Sequence, residues 1–180
     1  MALALIVAEN GMDPNFYPLL VGAISAVVAL AAALVAFRTA TAARKAQIIL
    51  DFSKRDADPE MGRNIKLLWD FAREDEADLV ERLLALEMSD KDRYEAIENA
   101  RRIVHKFFLQ LMQAKQLSLI SDKEIVTCFY RHQLETVVRI LRPLEETKPG
   151  WRYTRPVFDE YSRLYNNYDA LYKKTFGVPL

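Results

Sequence analysis

Between Leu19 and Phe37 lie nineteen consecutive residues without a charge, and Arg38, Arg44 and Lys45 come directly after them. Begun at Phe16, such a segment makes a helix about 33 Å long, enough for a hydrocarbon core about 30 Å thick. Its Leu, Ile, Val and Phe residues each favour insertion by about 0.3–0.6 kcal/mol, and its seven alanines are near neutral. A buried helix of a soluble protein would show a polar stripe, and this segment has none.

The flanks set the direction. Residues 1–18 carry Glu9 and Asp13 but no Lys or Arg. The positive-inside rule therefore puts the chain after Arg38 in the cytoplasm and the acidic tail, with Tyr17 and Pro18 at its boundary, outside. A cleaved secretory signal is the competing reading, since Ala40-Thr41-Ala42 resembles a small-residue cleavage site. A signal needs a positive n-region and an apolar stretch of about 7–15 residues, and neither is found here. The expected division is a short extracytoplasmic tail (1–15), a transmembrane helix (16–38) and a cytosolic helical domain (39–180), single-pass in the bacterial inner membrane.

From position 38 onward 25 basic residues face 23 acids, a net charge of +2. Near-neutrality argues against a nucleic-acid partner, which needs a basic face to replace counterions. It also argues against a broad polybasic membrane patch beyond the three juxtamembrane charges. Cys128 is the only cysteine, so no intramolecular disulfide exists and a reducing compartment fits. Five glycines are few for sheet turns or phosphate loops.

Helical spacing organises the rest. The first helix is expected to run on through residues 41–54, with Ile49 and Phe52 facing the domain and Asp51 pairing with Arg55. Asp58 and Pro59 suit the cap and first position of a second helix, bearing Met61, Ile65, Leu68 and Ala72 inward with Trp69 and Phe71 at the margin. Glu74-Asp75-Glu76 suits the first turn of a third, with Leu79, Leu83 and Leu86. Ser89 and Asp92 resemble a capping box opening a long helix to about Lys115, with Tyr94, Ile97, Ala100, Val104, Phe108 and Leu111 on one face. Ser121 and Glu124 form a second box, for a helix that ends at Pro143 and turns Val126, Phe129, Tyr130, Val137, Ile140 and Leu141 inward. After a loop at residues 147–150, Thr154 or Arg155 with Pro156 begins a last helix burying Phe158, Tyr161, Tyr165, Tyr168 and Tyr172. The fold expected is all-α: one transmembrane helix, then an antiparallel bundle of about five or six helices.

The stretch Phe107-Phe108-Leu109-Gln110-Leu111, running through Leu117 and Ile120 to Asp122-Lys123-Glu124-Ile125, has a familiar order. Phe129-Tyr130, Leu141-Arg142-Pro143 and a Phe158-centred last helix follow it. With the N-terminal span, this order resembles a family of bacterial single-span membrane proteins with an all-helical cytosolic domain of unassigned function. The resemblance covers about residues 40–170. It implies the architecture and carries over no catalytic residue.

Candidate chemistry is sparse. Cys128 and His132 lie four apart, and His105 with Glu124, Asp122 or Glu135 would have to complete a metal site, but no zinc motif is present. Burial of Cys128 and His132 in the core is the simpler account. Glu95, Glu98, Glu124 and Glu135 lack the Glu-x-x-His pairing of di-iron bundles. Arg131, Glu135 and Arg139 read as an ion-pair ladder on a solvated face. No catalytic, cofactor or metal residue is assigned, and a hydrolase using His105 or His132 is a minor alternative. Trp151, Arg152 and Tyr153, with Tyr161 and Tyr165, offer either core packing or a docking surface, since aromatics and Arg dominate binding hot spots. Within the span, Gly22, Ala26, Ala29 and Ala33 share one stripe between Leu19 and Phe37, which would let two copies of the helix approach closely.

These features point to a membrane-anchored, non-enzymatic interaction module: an adaptor, assembly factor or accessory subunit of a membrane complex. Its partners would be the bilayer and another protein, with a homo-oligomer through the span. The alternative is an oligomerising membrane effector or sensor in a stress or phage response.

Overall fold

The computed structural model describes residues 16–74 and 78–177, and among these the chain is helical, with no strand. The described residues divide into two compact units, one up to Arg44 and one from Lys45 onward. The first described helix, α1 (Phe16–Asp56), carries the uncharged run and then supplies Ile48, Ile49 and Phe52 to the core of the second unit. The expected Asp51–Arg55 pair is not formed, and each side chain has another partner. Asp51 accepts from Gln47 at 2.8 Å, while Arg55 donates to Gln110 at 2.8 Å and lies over the Phe107 ring.

Asp58 caps α2 (Pro59–Arg73), accepting from the Glu60 amide at 2.8 Å, with Pro59 at the first position where its missing N–H costs nothing. Met61, Leu68 and Phe71 are buried, so Phe71 belongs to the core and not to its margin. Glu74 does not open the next helix. It follows the last residue of α2, donates its amide to the Phe71 carbonyl, and pairs its carboxylate with Arg93. Asp75 and Glu76 lie outside the described residues. The real cap of α3 (Leu79–Ser89) is Asp78, whose carboxylate accepts from the Val80 amide at 2.7 Å.

The cap of α4 (Lys91–Gln116) is likewise displaced by one residue from expectation. Ser89 ends α3 and spends its hydroxyl on the Ala85 carbonyl, leaving Asp90 to accept from the Arg93 amide. α4 is the central element, and α2, α3 and the sixth helix all pack against it. Ile97, Ala100, Val104, Phe107, Phe108, Leu111 and Met112 are its buried face. Burying a side chain of this size stabilises by about 1.5–3 kcal/mol, so this face dominates the packing of the unit.

Ser121 and Glu124 form the expected capping box at the start of α5 (Asp122–Cys128). The single helix expected to continue to Pro143 is broken at Phe129 and Tyr130, both extended. Aromatic and β-branched residues crowd this stretch and lower its helix propensity. Side chains fix the break. Gln133 accepts from the Tyr130 amide at 2.7 Å and donates to the Asp56 carboxylate, while Tyr168 donates to the Phe129 carbonyl at 3.1 Å. Phe129 turns into the core and Tyr130 stays exposed.

The sixth helix, α6, has three parts: Arg131–Thr136, the π-helical turn Val137–Leu141, and Arg142–Glu146. Pro143 does not end it. The wide turn, in which Arg142 donates to the Val137 carbonyl five residues back, gives room for the proline ring that a tight turn would drive into the Arg139 carbonyl. α7 (Trp151–Asn166) starts a turn earlier than expected and holds Pro156 inside it. Packing of the Trp151 ring on Phe158, 5.3 Å between centroids, offsets the hydrogen bond Pro156 cannot make. At Asn167 the chain breaks again into α8 (Tyr168–Phe176), which stops at Gly177 in the left-handed conformation, φ 72°. The two breaks explain why, among the described residues, seven helices follow α1 where five or six were expected.

Candidate functional site

Every side chain from Pro18 to Arg44 is exposed. The segment's mean hydropathy reaches 2.7, and none of that window is buried against the rest of the chain. Leu19 and Phe37 at its ends are each 71% exposed. This is one helix long and apolar enough to cross a membrane. Its stripe of Gly22, Ala26, Ala29 and Ala33 is open, and a side chain added at Gly22 would meet nothing. Thr39 and Thr41, just past the uncharged run, return their hydroxyls to the Val35 and Phe37 carbonyls at 2.9 and 2.8 Å, so no polar hydrogen is left unmatched there. Arg38 and Arg44 are exposed as well, and Lys45 is half-buried.

The aromatic residues near the C-terminus separate into two populations. Tyr161 is fully buried, donates to the Phe108 carbonyl at 2.7 Å and meets the Phe108 ring edge-on, so it is a core residue and offers no docking surface. Its phenol is held well above its ordinary pKa by burial. Trp151 is half-buried on Phe158, with the Arg142 guanidinium over its outer face. Arg152 and Tyr153 face solvent and hold each other: the guanidinium lies 4.6 Å from the ring centre and donates to the hydroxyl at 2.5 Å. Tyr165 sits three helical turns further on, half-buried beneath Arg131, which also pairs with Asp169 at 3.2 Å. Arg131 thus leaves the expected ladder, and only Glu135 and Arg139 keep it, at 3.0 Å. The accessible part of the candidate docking group is the Arg152–Tyr153 pair.

Cys128 and His132 do not share a helix face, because the break at Phe129 and Tyr130 lies between them. Cys128 is half-buried with its thiol pKa raised, chiefly by burial, and bonds to Ser53. His132 stacks on the Tyr130 ring. His105 belongs elsewhere, its Nδ1 2.8 Å from Glu145. Among the described residues no group of His, Cys, Asp and Glu is arranged to hold a metal ion.

What sequence reasoning missed is the polar group inside α4. Glu98, Arg101 and Glu145 are all buried, Arg101 to 6%. The Arg101 guanidinium grips Glu98 through Nε and Nη2 at 3.0 and 2.8 Å, and reaches Glu145 with Nη1. Lys148 closes the far side of Glu98 at 3.2 Å. Burial opposes the charge on Glu98, yet Arg101 and Lys148 outweigh it and keep the carboxyl below its ordinary pKa. Burial, and then Arg101, lower the pKa of His105, whose Nδ1 lies 2.8 Å from the Glu145 carboxylate. Arg101 and Lys148, with Arg102 more distant at 3.8 Å from Glu98, match the two carboxylates and hold α4 to the end of α6, which is a fastening and not a proton-transfer site. The signal was present as Glu98-x-x-Arg101, two charges three apart on an otherwise apolar face. No known protein family, curated protein or solved structure matches the chain.

Proposed function

We propose that this protein is a single-pass membrane protein of the bacterial inner-membrane type, with residues 1–15 outside and a cytosolic helical bundle that binds another protein. In this reading it is an adaptor, assembly factor or accessory subunit, not an enzyme. The observation that carries the anchor is the exposure of the whole uncharged segment. A soluble monomer rarely leaves more than a few hundred Å² of contiguous apolar surface in water, and here the nineteen uncharged residues from Leu19 to Phe37 have no cover within the chain. Lipid removes that cost, and the helix satisfies its own backbone groups. Arg38, Arg44 and Lys45 fix the direction.

Full-length protein in isolated membranes is expected to resist carbonate washing, and a reporter at its C-terminus to be active only in the cytosol. Val28→Arg, at the middle of the run, should cost about 2.5–3.5 kcal/mol of insertion and release a measurable soluble fraction. Wild type that washes off, or a reporter active outside, removes the anchor.

The binding role rests on the Arg152–Tyr153 pair, a guanidinium stacked on a rigid ring and held open to solvent. Full-length protein extracted in mild detergent is expected to bring down a partner at fixed stoichiometry. Arg152→Ala with Tyr153→Ala should weaken that capture on the order of 10-fold without changing the unfolding midpoint. Undiminished capture by the double variant moves the docking surface elsewhere.

A further inference from the structure

Although the chain is almost neutral, its folding gathers lysines that are far apart in sequence. A cleft of about 720 Å³ lies within the second unit, and among its described lining residues are Lys45, Lys115, Lys123 and Lys174 against one carboxylate, that of Asp122. That carboxylate is already engaged. Asp122 pairs with Lys115 at 2.6 Å and with Arg163 at 2.6 Å, while Glu160 binds the same two cations. Arg163 and Lys115 hold Glu160 down to a pKa of about 2 against its partial burial, so both acids are ionised at any physiological pH. Asp122 is lowered in the same way, since Lys115 and Arg163 outweigh its burial. The acids are therefore consumed within the wall. Lys45, Lys123 and Lys174 have no ion-pair partner among the described residues. Hydroxyls of Ser118, Ser121 and Thr175 line the same space and supply neutral donors.

A roomy cleft with three uncommitted ammonium groups, hydroxyl donors and, among the described residues, its lining carboxylate already paired selects a phosphate-bearing anion. Its source follows from the chain. Lys45 stands only eight residues after Phe37, and eight residues of chain reach at most about 29 Å. In the anchored reading that short tether holds the cleft within reach of the lipid headgroups. We infer that this cleft binds the phosphate headgroup of an anionic phospholipid. The choice of lipid over a soluble phosphate rests on the anchored reading above; the basic cleft does not.

Full-length protein in detergent micelles is titrated with phosphatidylglycerol, phosphatidylcholine or inorganic phosphate, and bound lipid is read by native mass spectrometry. The expected result is binding of phosphatidylglycerol in preference to phosphatidylcholine. Substituting Lys45, Lys123 and Lys174 together by Gln should weaken it on the order of 100-fold, about fivefold for each lysine. Lys123→Gln with Lys174→Gln alone, both on exposed residues, should lose on the order of 25-fold with helicity unchanged. The proposal is overturned if a control triple of Lys66, Lys91 and Lys106 to Gln loses as much, or if phosphatidylcholine binds equally. It is also overturned if millimolar inorganic phosphate displaces the lipid, which would make the ligand a soluble phosphate. Because the titration is done in micelles, a chain that fails the carbonate test can still pass this one, and the reverse.

Discussion

Arg101→Leu is expected to destabilise the folded chain by about 3–5 kcal/mol, read as a fall in the urea midpoint of full-length protein in mild detergent. The cause is what stays behind. Glu98 and Glu145, each buried, would face one another without the guanidinium that now bridges them, and Lys148 reaches only Glu98. Removing one partner from a buried ionic group costs far more than the group itself contributes, so a triple replacement of Arg101, Glu98 and Glu145 by apolar residues of similar volume should recover most of the loss. The pH dependence has a definite sign. Glu98 is held below its ordinary value of 4.5, so the stability it contributes in wild type is complete above that value and is lost as the pH falls through its folded pKa. In Arg101→Leu the carboxylates, left with Lys148 and the more distant Arg102 on Glu98 and with His105 on Glu145, take up protons more readily, and the deficit relative to wild type should shrink on acidification. A midpoint within 1 kcal/mol of wild type, or a deficit independent of pH, would mean that Arg101 does not fasten α4 to α6.

The legible parts of this chain were those governed by local rules. Asp58 with Pro59, and Ser121 with Glu124, act through atoms two or three residues away, and both caps are where their sequence puts them. The apolar periods chose the right face of α4 and, Phe71 apart, of α2, because 3.6-residue spacing needs no knowledge of the partner. Where reading failed, a distant residue decided. Nothing near Phe129 announces that Tyr168 and Asp56 will fix the break there, from 39 and 77 residues away along the bonds to Phe129 and Gln133. Pro143 reads locally as a stop, yet burial of Leu141 and Leu144 on either side keeps the chain helical through a π-turn. Net charge misled in the same way. The count from Arg38 onward says neutral, whereas pairing Asp122 and Glu160 internally leaves Lys45, Lys123 and Lys174 as a local excess.

Tyr161→Ala should unfold the second unit's core by about 3–5 kcal/mol, because the ring is fully buried and the cavity left behind cannot collapse between α4 and α7. Tyr161→Phe separates the two roles of the side chain. It keeps the ring against Phe108 and removes only the hydrogen bond to the Phe108 carbonyl, for a loss of about 1 kcal/mol. Tyr153→Ala, eight residues earlier on the same helix but 71% exposed, should move the midpoint by no more than about 0.5 kcal/mol. The contrast matters for function. A stripe of aromatics that looks continuous in sequence is divided by the helix into residues that build the domain and residues left free for a partner. An unfolding series in detergent that ranks Tyr161→Ala below Tyr161→Phe, and Tyr161→Phe below Tyr153→Ala, upholds that division. Equal midpoints for Tyr161→Ala and Tyr153→Ala would place Tyr161 at the surface and return it to the docking group.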